Sequence, residues 1–514
     1  MKRRPMISIR AITLALALAA CSGLSLATDW PTWGGGPSRN MVLSDTNALP
    51  SEANIEGLGE DGKVDPAKAK NVKWAARLGS QTYGNPTVAG GRVYVGTNND
   101  PPRDPRHAGD RGVLACFDEK DGHFLWQLVV PKLASGKHED WEFTGVCTSP
   151  AVDGDRVYAV TNRCEIVCLD AAGLSNGNQG PFTQEAEYLA DKGNPPVAPG
   201  PTDADILWRY DMRDELGVFP HNMTSSSVLV VGDRLYATTS NSVDWTGKHT
   251  PSPDSPALIC LDKNTGKLLA QEKSGISRRT FHSNWSSPAY GTFNGQALVV
   301  FGAGDGWCYG FEPETLKEVW RCDCNPPQYR TGKDGKPVKY QPTAAGSPSE
   351  IIATPVVHEN RVYVAIGQSP ENGDGRGAIT CIDGTKAGDV TSSAVVWRND
   401  TINRSVSTAS VANGLVYLAD FAGFVYCLDS ATGKEVWKHD TQSRIWGSTF
   451  VADGKVYVGN ENGTLTVLAA GREMKKLAEV DFAAPIYSTP VAANGVLYVA
   501  TDKHLYALQN QSEK

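Results

Sequence analysis

Histidine, asparagine, arginine and tryptophan residues cluster just before four strand-like segments of this sequence: FPHNMTS (219–225), TFHSNWS (280–286), INRSVS (402–407) and SRIWGS (443–448). Aromatic rings beside guanidinium and imidazole groups suit a planar or anionic ligand. The predicted ligand-binding residues are His221, Asn222, His282, Asn284, Trp285, Arg404, Arg444 and Trp446. The alternative interpretation is a polar, water-filled funnel whose groups bond to one another.

His221 and His282 are the members of this set that could act as general bases. A general base needs an oriented partner and a substrate within hydrogen-bond reach, and the sequence indicates neither. The chain also contains no nucleophile elbow, P-loop, zinc-protease helix or calcium-loop motif. We therefore predict no catalytic residue and no metal ligand.

These side chains can act together only if the strands that follow them surround one axis. Eight copies of a hairpin phrase run from NPTVAGGRVYVGT (85–97) to STPVAANGVLYVAT (488–501). Each is followed by a third strand, a turn and a fourth strand that often bears Trp, as in FVYCLDSATGKEVWKHD (424–440). One unit is thus four antiparallel strands, and its spacing is typical of propeller blades.

The last unit lacks a fourth strand, because the chain ends after KHLYALQN (503–510). The segment NVKWAARLG (71–79) has the Trp and the alternation of such a strand but no strands before it. Closing the ring with this segment removes open sheet edges. We predict an all-β, eight-bladed β-propeller of four-stranded antiparallel blades over residues 71–510, closed by an N-terminal strand.

Long insertions in the repeats fall mostly on one face of the predicted ring. Connections between second and third strands, and those between blades, share a face, and five long loops are of these kinds: 99–112, 131–145, 241–256, 322–350 and 368–377. The loop 173–205 is predicted to lie on the opposite face. Because loops often carry function, we expect a binding face over blades one to five.

The N-terminus has the pattern of a secretion signal over residues 1–27, followed by an N-terminal extension, 28–70. Basic residues precede an apolar run that ends in small residues. Cleavage after Ala27 and lipidation at Cys21, within the lipobox-like Leu-Ala-Ala-Cys, remain alternatives. Both place the protein outside the cytoplasm, in the periplasm or as an outer-membrane lipoprotein.

The net charge argues against nucleic acid as a partner. It is −8 for the whole chain, and loss of residues 1–27, with four basic and no acidic residues, makes it −12. An acidic chain is a poor general binder of phosphate backbones.

Five of the eleven cysteines occupy equivalent slots in separate repeats, which places them too far apart to pair. These slot residues are Cys116, Cys168, Cys260, Cys381 and Cys427. Cys147 and Cys164 instead flank one hairpin, whose turn is expected to bring them opposite each other. We predict a disulfide between these two.

The phrase LDxxTGKxxW, preceded by a VYVG-type strand, resembles the tryptophan-docking repeat of PQQ-like β-propellers over residues 71–509. That group includes quinoprotein alcohol dehydrogenases and BamB-like outer-membrane assembly lipoproteins. The segment DWPTWGGGPSRN (29–40) also resembles the mature N-terminus of BamB-like proteins. For the dehydrogenases the resemblance implies PQQ and calcium as cofactors. The sequence, however, contains no Cys-Cys dipeptide, no haem-attachment motif and no calcium ligands that match by motif.

The sequence therefore predicts an exported, non-catalytic, BamB-like binding or scaffold protein of the bacterial cell envelope. As a monomer it would bind envelope proteins or a small polar or anionic ligand on its long-loop face. Its only membrane attachment would be a lipid at Cys21. The alternatives are a periplasmic PQQ-dependent dehydrogenase of alcohols or sugars, and a carbohydrate- or polymer-binding propeller.

Overall fold

The computed structural model describes residues 28–511, except 45, 47, 60–62, 66, 137 and 345. The predicted signal 1–27 and Cys21 lie outside the described residues. The chain forms eight blades, numbered here 1 to 8, each built on four antiparallel strands, which confirms the predicted eight-bladed propeller. None of the helices in the described part of the chain is long and apolar enough to span a lipid bilayer.

The first four blades follow the chain in order. Their strands are Thr87–Ala89, Arg92–Asn98, Arg111–Asp118 and Phe124–Pro131 in blade 1, and Ala151–Asp153, Arg156–Val160, Glu165–Asp170 and Ile206–Asp211 in blade 2. Blade 3 has Leu229–Val231, Arg234–Thr238, Leu258–Asp262 and Leu268–Gln271; blade 4 has Ala289–Phe293, Gln296–Gly302, Trp307–Phe311 and Glu318–Asp323.

The remaining blades complete the ring. Blade 5 consists of Val356–His358, Arg361–Ile366, Ala378–Asp383 and Val395–Asn399, and blade 6 of Ser410–Ala412, Leu415–Ala419, Phe424–Asp429 and Glu435–Asp440. Blade 7 consists of Phe450–Ala452, Lys455–Gly459, Thr464–Ala469 and Lys476–Asp481, and blade 8 of Val491–Ala493, Val496–Ala500, His504–Leu508 and Val72–Arg77. Short strands Val42–Leu43 and Gly388–Asp389 add to blades 7 and 4, and short helices lie at Glu185–Leu189, Met212–Leu216 and Pro327–Arg330.

The ring closes where the sequence predicted it. Strand Val72–Arg77 pairs antiparallel with His504–Leu508, with Trp74 opposite Ala507 and Arg77 opposite His504. The N-terminal strand thus provides the fourth strand of blade 8, and no fourth strand is needed after residue 508.

Tryptophans of the fourth strands join neighbouring blades. Trp437 donates its indole N–H to the carbonyl of Gly471 in the next blade at 2.8 Å, and Trp74 does the same to Glu119 across the closure at 3.0 Å. The repeat glycine makes room for this ring: Gly433 has φ +68°, and a Cβ there would lie 2.3 Å from a ring carbon of Trp397. The recurring Trp and Gly therefore serve packing between blades.

The slot cysteines are buried and unbridged, each within its own blade. Cys427, for example, is paired across the sheet with Tyr417 on one side and Trp437 on the other. Their small side chains accommodate the large ring on the fourth strand.

The predicted Cys147–Cys164 disulfide is wrong, because both residues are free thiols. Cys164 lies in a tight turn after the second strand of blade 2, with φ +62°, and its thiol donates to the carbonyl of Thr239 in blade 3 at 3.2 Å. The Cys147 thiol contacts the carbonyl of Thr144 at 3.7 Å. The turn thus directs Cys164 toward the next blade, away from its presumed partner.

Residues 28–43 cross the axis of the propeller at the end where each first strand turns into the second. Pro31 O accepts from Val152 N at 2.8 Å, and Pro37 O accepts from Tyr290 N at 2.8 Å. Equivalent bonds or bridges reach the first strand, or the residues flanking it, in every other blade, at Val88, Val228, Val357, Val411, Val451 and Asn494. We call residues 28–43 the axial segment.

Arg39 is the centre of this segment and is fully buried. Its guanidinium donates to the carbonyls of Pro288 at 2.8 Å, Val228 at 2.7 Å and Trp33 at 2.7 Å. It has no carboxylate partner among the described residues, and burial lowers the pKa of Arg39 to about 9. The cation is therefore held by carbonyl dipoles that belong to two blades and to the segment itself.

Candidate functional site

A cavity of about 380 Å³ lies on the propeller axis. Trp33 of the axial segment lines it from one end. The rest of its wall comes from residues that precede the first strands and from two of the long loops. The cavity therefore opens toward the face of the long loops and is closed on the other side by the axial segment.

A belt of hydrogen bonds surrounds the axis at the start of the first strands. In most members a backbone N–H donates to the side-chain oxygen of the equivalent residue in the next blade, as Ser227 N does to Ser287 Oγ at 2.9 Å and Thr408 N to Ser448 Oγ at 2.8 Å. Its members, one per blade, are Asn85, Ser149, Ser227, Ser287, Thr354, Thr408, Ser448 and Thr489. We call this set the hydroxyl belt.

The belt is interrupted between blades 4 and 5. Among the described residues no such bond joins Ser287 to Thr354, and Thr354 Oγ1 instead accepts from the indole N–H of Trp33 at 3.0 Å. The axial segment is thus bonded to the belt at its one open link.

A second ring of side chains lies two residues before the belt in each blade. Side chains two apart on an extended chain point to the same side, so this ring lines the cavity above the belt. Its members, in blade order, are Tyr83, Cys147, Ser225, Trp285, Ile352, Val406, Trp446 and Tyr487. We call this set the upper tier.

The upper tier gives the cavity its asymmetry. Blades 7, 8 and 1 contribute an aromatic corner, in which Tyr83 stacks on Tyr487 with centroids 5.0 Å apart and Trp446 lies 5.5 Å from Tyr487. Blades 2 and 3 contribute the small side chains of Cys147 and Ser225. Space is therefore left opposite the aromatic corner.

Two long loops complete the mouth. The loop 131–145 contributes Trp141 and Glu142, and Trp141 N donates to Asn222 O at 2.6 Å. The loop 368–377 contributes Ser369, Pro370 and Glu371. The loops predicted to decorate one face thus form part of the cavity wall.

Of the eight predicted site residues, the structure brings three to the cavity wall: Asn222, Trp285 and Trp446. His221 and His282 lie behind Trp285, with centroids 4.5 Å apart and the His282 ring 5.3 Å from Trp285. Three predicted residues therefore line the cavity, and the two histidines pack behind one of them.

The histidine pair is neutral in the folded protein. Burial, and then the neighbouring His221, lowers the pKa of His282 to about 3, while burial lowers the pKa of His221. His221 Nδ1 lies 2.9 Å from Val243 O, and His282 Nδ1 has no partner among the described residues. Neither ring reaches the cavity wall, so neither is placed to take a proton from a ligand there.

The other three predicted residues hold the surrounding structure. Asn284 is buried and bonds to Asn241 O and Gly304 N. Arg404 is buried and donates to carbonyls of the loops 341–350 and 368–377, including Ala344 O at 2.8 Å. Arg444 is exposed and lies over the Phe421 ring at 5.3 Å.

The sequence interpretation missed Tyr83 and Tyr487, the hydroxyl belt, and the loop residues Trp141, Glu142 and Glu371. Alignment of all eight repeats at the belt position would have found the two tyrosines, because they occupy the same slot as Trp446. No local pattern indicates how far the long loops reach toward the axis.

Comparisons with known proteins support a PQQ-like β-propeller. A family model described as outer membrane protein assembly factor BamB matches residues 103–185, 331–438 and 376–474. The structure of BamB from Moraxella catarrhalis is similar at 14% identity and a TM-score of 0.50, covering 86% of this chain and 97% of that one. At this identity the similarity concerns the fold alone.

Two further solved structures are similar at lower scores. A computationally designed protein, Ika8, matches at 12% identity and a TM-score of 0.49 over 90% of this chain and 99% of its own. A europium-containing methanol dehydrogenase matches at 12% identity and a TM-score of 0.47 over 92% of this chain and 89% of its own. A search of curated proteins found no match.

The cavity does not fit PQQ, the cofactor implied by the dehydrogenases of this fold. PQQ carries three carboxylates and needs cationic groups around it. Among the described residues the cavity lining includes Glu142 and Glu371 and no Arg, Lys or His. The charge of this wall therefore opposes the group, and we derive no reaction step through it.

One cluster among the described residues could hold a metal ion: Asp104, His107 and Asp203. It lies outside the cavity lining, and Arg106 already forms ion pairs with both carboxylates. The guanidinium already pairs with these carboxylates, so this cluster is a structural link between the loops 99–112 and 173–205. The two loops therefore meet, although the sequence predicted them on opposite faces.

Proposed function

We propose that this protein is an exported, non-catalytic binding or scaffold protein of the bacterial cell envelope, BamB-like in role as well as in fold. The observation that carries this proposal is the axial cavity. Its wall is built from aromatic, hydroxyl and carboxylate groups, and its two nearby histidines are neutral and do not line it. A wall of this kind suits ligand binding, and its described residues include no nucleophile, base and electrophile arranged for catalysis.

The exposed side chains of the long-loop face favour a macromolecular partner. Phe143 and Trp245 come from two of its loops and are 46% and 67% exposed. Large aromatic side chains that project from loops are typical anchors of protein–protein interfaces. Envelope proteins are therefore the proposed partners of this face.

The axial segment fixes how a lipid at Cys21 would orient the molecule. Thr28 O accepts from Asn494 N at 3.2 Å, at the face opposite the long loops. Seven peptide units separate Cys21 from Thr28 and span at most about 25 Å. A lipidated chain would therefore keep its axial-segment face toward the membrane and present the cavity mouth to partners.

The first test adds PQQ and calcium to the purified protein. Absorbance and tryptophan fluorescence report binding, and dye-linked assays with alcohols and sugars report turnover. We expect neither tight PQQ binding nor oxidation. Turnover above a heat-denatured control would overturn the non-catalytic role.

The second test crosslinks the protein in the envelope of its own host and identifies the captured proteins by mass spectrometry. The variant Phe143→Ala/Trp245→Ala should lose a specific partner that the wild type retains. Leu477→Ala, which removes an exposed apolar residue from the fourth strand of blade 7, serves as the matched control. Equal capture by all three proteins would contradict binding at the long-loop face.

A carbohydrate- or polymer-binding role is the second candidate. It is favoured by the four aromatic side chains of the upper tier, Tyr83, Trp285, Trp446 and Tyr487. Flat rings provide stacking surfaces for sugar rings. Binding of neutral oligosaccharides, measured by calorimetry and lost on substitution of Trp285 by leucine, would establish this role.

A further inference from the structure

We propose that the axial cavity is a binding site for a small organic cation, such as a quaternary ammonium compound. This inference rests on the proposed binding function and narrows its ligand class. It follows from three independent features of the cavity: the arrangement of its aromatic rings, the sign of its charges, and its closed floor.

The aromatic rings form a wall rather than isolated contacts. Tyr83 and Tyr487 stack at an interplanar angle of 27°, and Trp446 meets Tyr487 at 78° with centroids 5.5 Å apart. Phe421 supports the outer side of Trp446 at 5.3 Å. The ring faces of such a corner attract a cation through their quadrupoles, most strongly where water is excluded.

The charges of the cavity are negative. Glu142 and Glu371 line it, and neither has an ion-pair partner among the described residues. Partial desolvation raises the pKa of Glu371, as is expected for a carboxyl group without a neighbouring cation. A cationic ligand supplies the missing counter-charge to this wall.

The electrostatic potential at the aromatic corner is also negative. Burial raises the pKa of Tyr83, and the neighbouring titratable groups, which include Glu461 and Glu371, raise it further. Burial, and then Glu461 and Asp502, raise the pKa of Tyr487. The negative charges of these carboxylates thus act at both phenol groups, which disfavours an anionic ligand at the corner.

Arg444 is a cationic side chain close to this corner. Its guanidinium lies over Phe421 at 5.3 Å, one ring removed from Trp446, and it is exposed and absent from the cavity wall. It therefore weakens the negative field from outside without offering a contact to the ligand. Removal of the Arg444 charge therefore tests whether the ligand is a cation.

The floor of the cavity sets the size of the ligand. Trp33 closes one end and is fixed to the hydroxyl belt by its bond to Thr354 Oγ1. A volume of about 380 Å³ accommodates a ligand of modest size with its head group at the aromatic corner. Polymer chains cannot thread the axis, because the axial segment crosses it.

The test is calorimetric titration of the full-length mature protein with choline and with benzyltrimethylammonium. The neutral analogue of choline, 3,3-dimethyl-1-butanol, is titrated in parallel. We expect saturable binding of the two cations, binding of the neutral analogue at least tenfold weaker, and affinity that falls with added salt. Equal binding of choline and its neutral analogue would overturn the proposal.

Variants then locate the site. Trp446→Leu should weaken cation binding at least tenfold, and Glu371→Gln and Glu142→Gln should each weaken it about three- to tenfold. Arg444→Ala should tighten it, because a like charge is removed. Glu473→Gln, on an exposed turn of blade 7, should leave the affinity unchanged, and circular dichroism checks that each variant is folded.

Failure of this inference can be told apart from failure of the proposed function. Absence of cation binding, or a preference for neutral sugars, overturns the cation site. Capture of an envelope partner in the crosslinking experiment would still support the proposed function. Oxidation of a substrate with PQQ overturns the proposed function itself. Loss of cation binding in Glu473→Gln as well would show that the site is not the axial cavity.

Discussion

The backbone N–H of Thr489 donates to the side-chain oxygen of Asn85 at 2.5 Å, although the two residues are 404 positions apart in the chain. This bond joins blade 8 to blade 1 in the hydroxyl belt. Two residues earlier in each blade, Tyr487 stacks on Tyr83. The same closure that completes the fold therefore also builds the aromatic corner of the cavity.

Among the residues of the closing strand, Trp74 should contribute most to the stability of the folded protein. It is 4% exposed, and its indole donates to Glu119 O in blade 1. Trp74→Ala should lower the free energy of unfolding by about 3–5 kcal/mol, because it leaves a large void and an unpaired carbonyl. Chemical denaturation followed by circular dichroism measures this change.

The control for Trp74 is Trp245→Ala, which removes a ring that is 67% exposed. A surface change of this kind should alter stability by no more than about 0.5 kcal/mol. Equal effects of the two substitutions would show that the closing strand contributes little to the folded ring.

The fold was predictable from sequence because its information is local and repeated. In Asp429-Ser-Ala-Thr-Gly-Lys the carboxylate of Asp429 accepts backbone N–H bonds from Ala431 and Thr432, and Gly433 adopts a positive φ. Such a turn carries a local signal, and together with the eight hairpin copies it makes the architecture unambiguous.

The candidate site was predictable only in part, because it depends on contacts between distant segments. Trp285 and Trp446 could be placed at the channel from their position before a first strand. Arg404 also precedes a first strand, two residues before the tier position at Val406, yet it donates to the loop carbonyls of Ala344 and Asn372. The axial segment gave no local signal, since its bonds are distributed over all the blades.

The Cys147–Cys164 prediction failed because hairpin register alone was used to place two side chains. The tight turn at Cys164, with φ +62°, reorients the thiol toward Thr239 O. We expect peptide mass spectrometry of unreduced protein, alkylated after denaturation, to find both cysteines alkylated. A reductant should leave the melting temperature unchanged, and a linked Cys147–Cys164 peptide would contradict the structure.

Arg39 should be essential to the axial segment. Arg39→Met should lower the free energy of unfolding by about 3–5 kcal/mol, because the carbonyls of Pro288, Val228 and Trp33 lose their donor in a buried place. Arg39→Lys should rescue little, because an ammonium cannot reproduce the planar fork that serves three carbonyls. Denaturant titrations of both variants provide the measurement.

Arg472→Ala is the matched control for Arg39, since it removes an exposed arginine that pairs with Asp429 at 2.6 Å. Exposed ion pairs contribute at most about 1 kcal/mol. If Arg39→Met proved as mild as Arg472→Ala, the axial segment would not be a structural part of the ring.

Glu350 should make stability depend on pH. It is fully buried, its Oε1 accepts from Ser369 N at 2.9 Å, and its Oε2 has no partner among the described residues. Burial raises the pKa of Glu350 from 4.5 to about 7. Between these values the folded protein holds a proton that the unfolded chain releases, so the contribution of Glu350 is largest at low pH and is lost as pH rises to about 7.

The substitution Glu350→Gln should remove this dependence, because the amide keeps an acceptor for Ser369 N–H and carries no charge at any pH. Relative to wild type, the variant should gain about 2–3 kcal/mol between pH 5 and pH 8. Urea denaturation at several pH values measures the difference, with Glu187→Gln, an exposed residue, as the control. A wild-type profile parallel to that of Glu350→Gln across this range would mean that Glu350 is ionised in the folded protein, held by the nearby charge of Arg404.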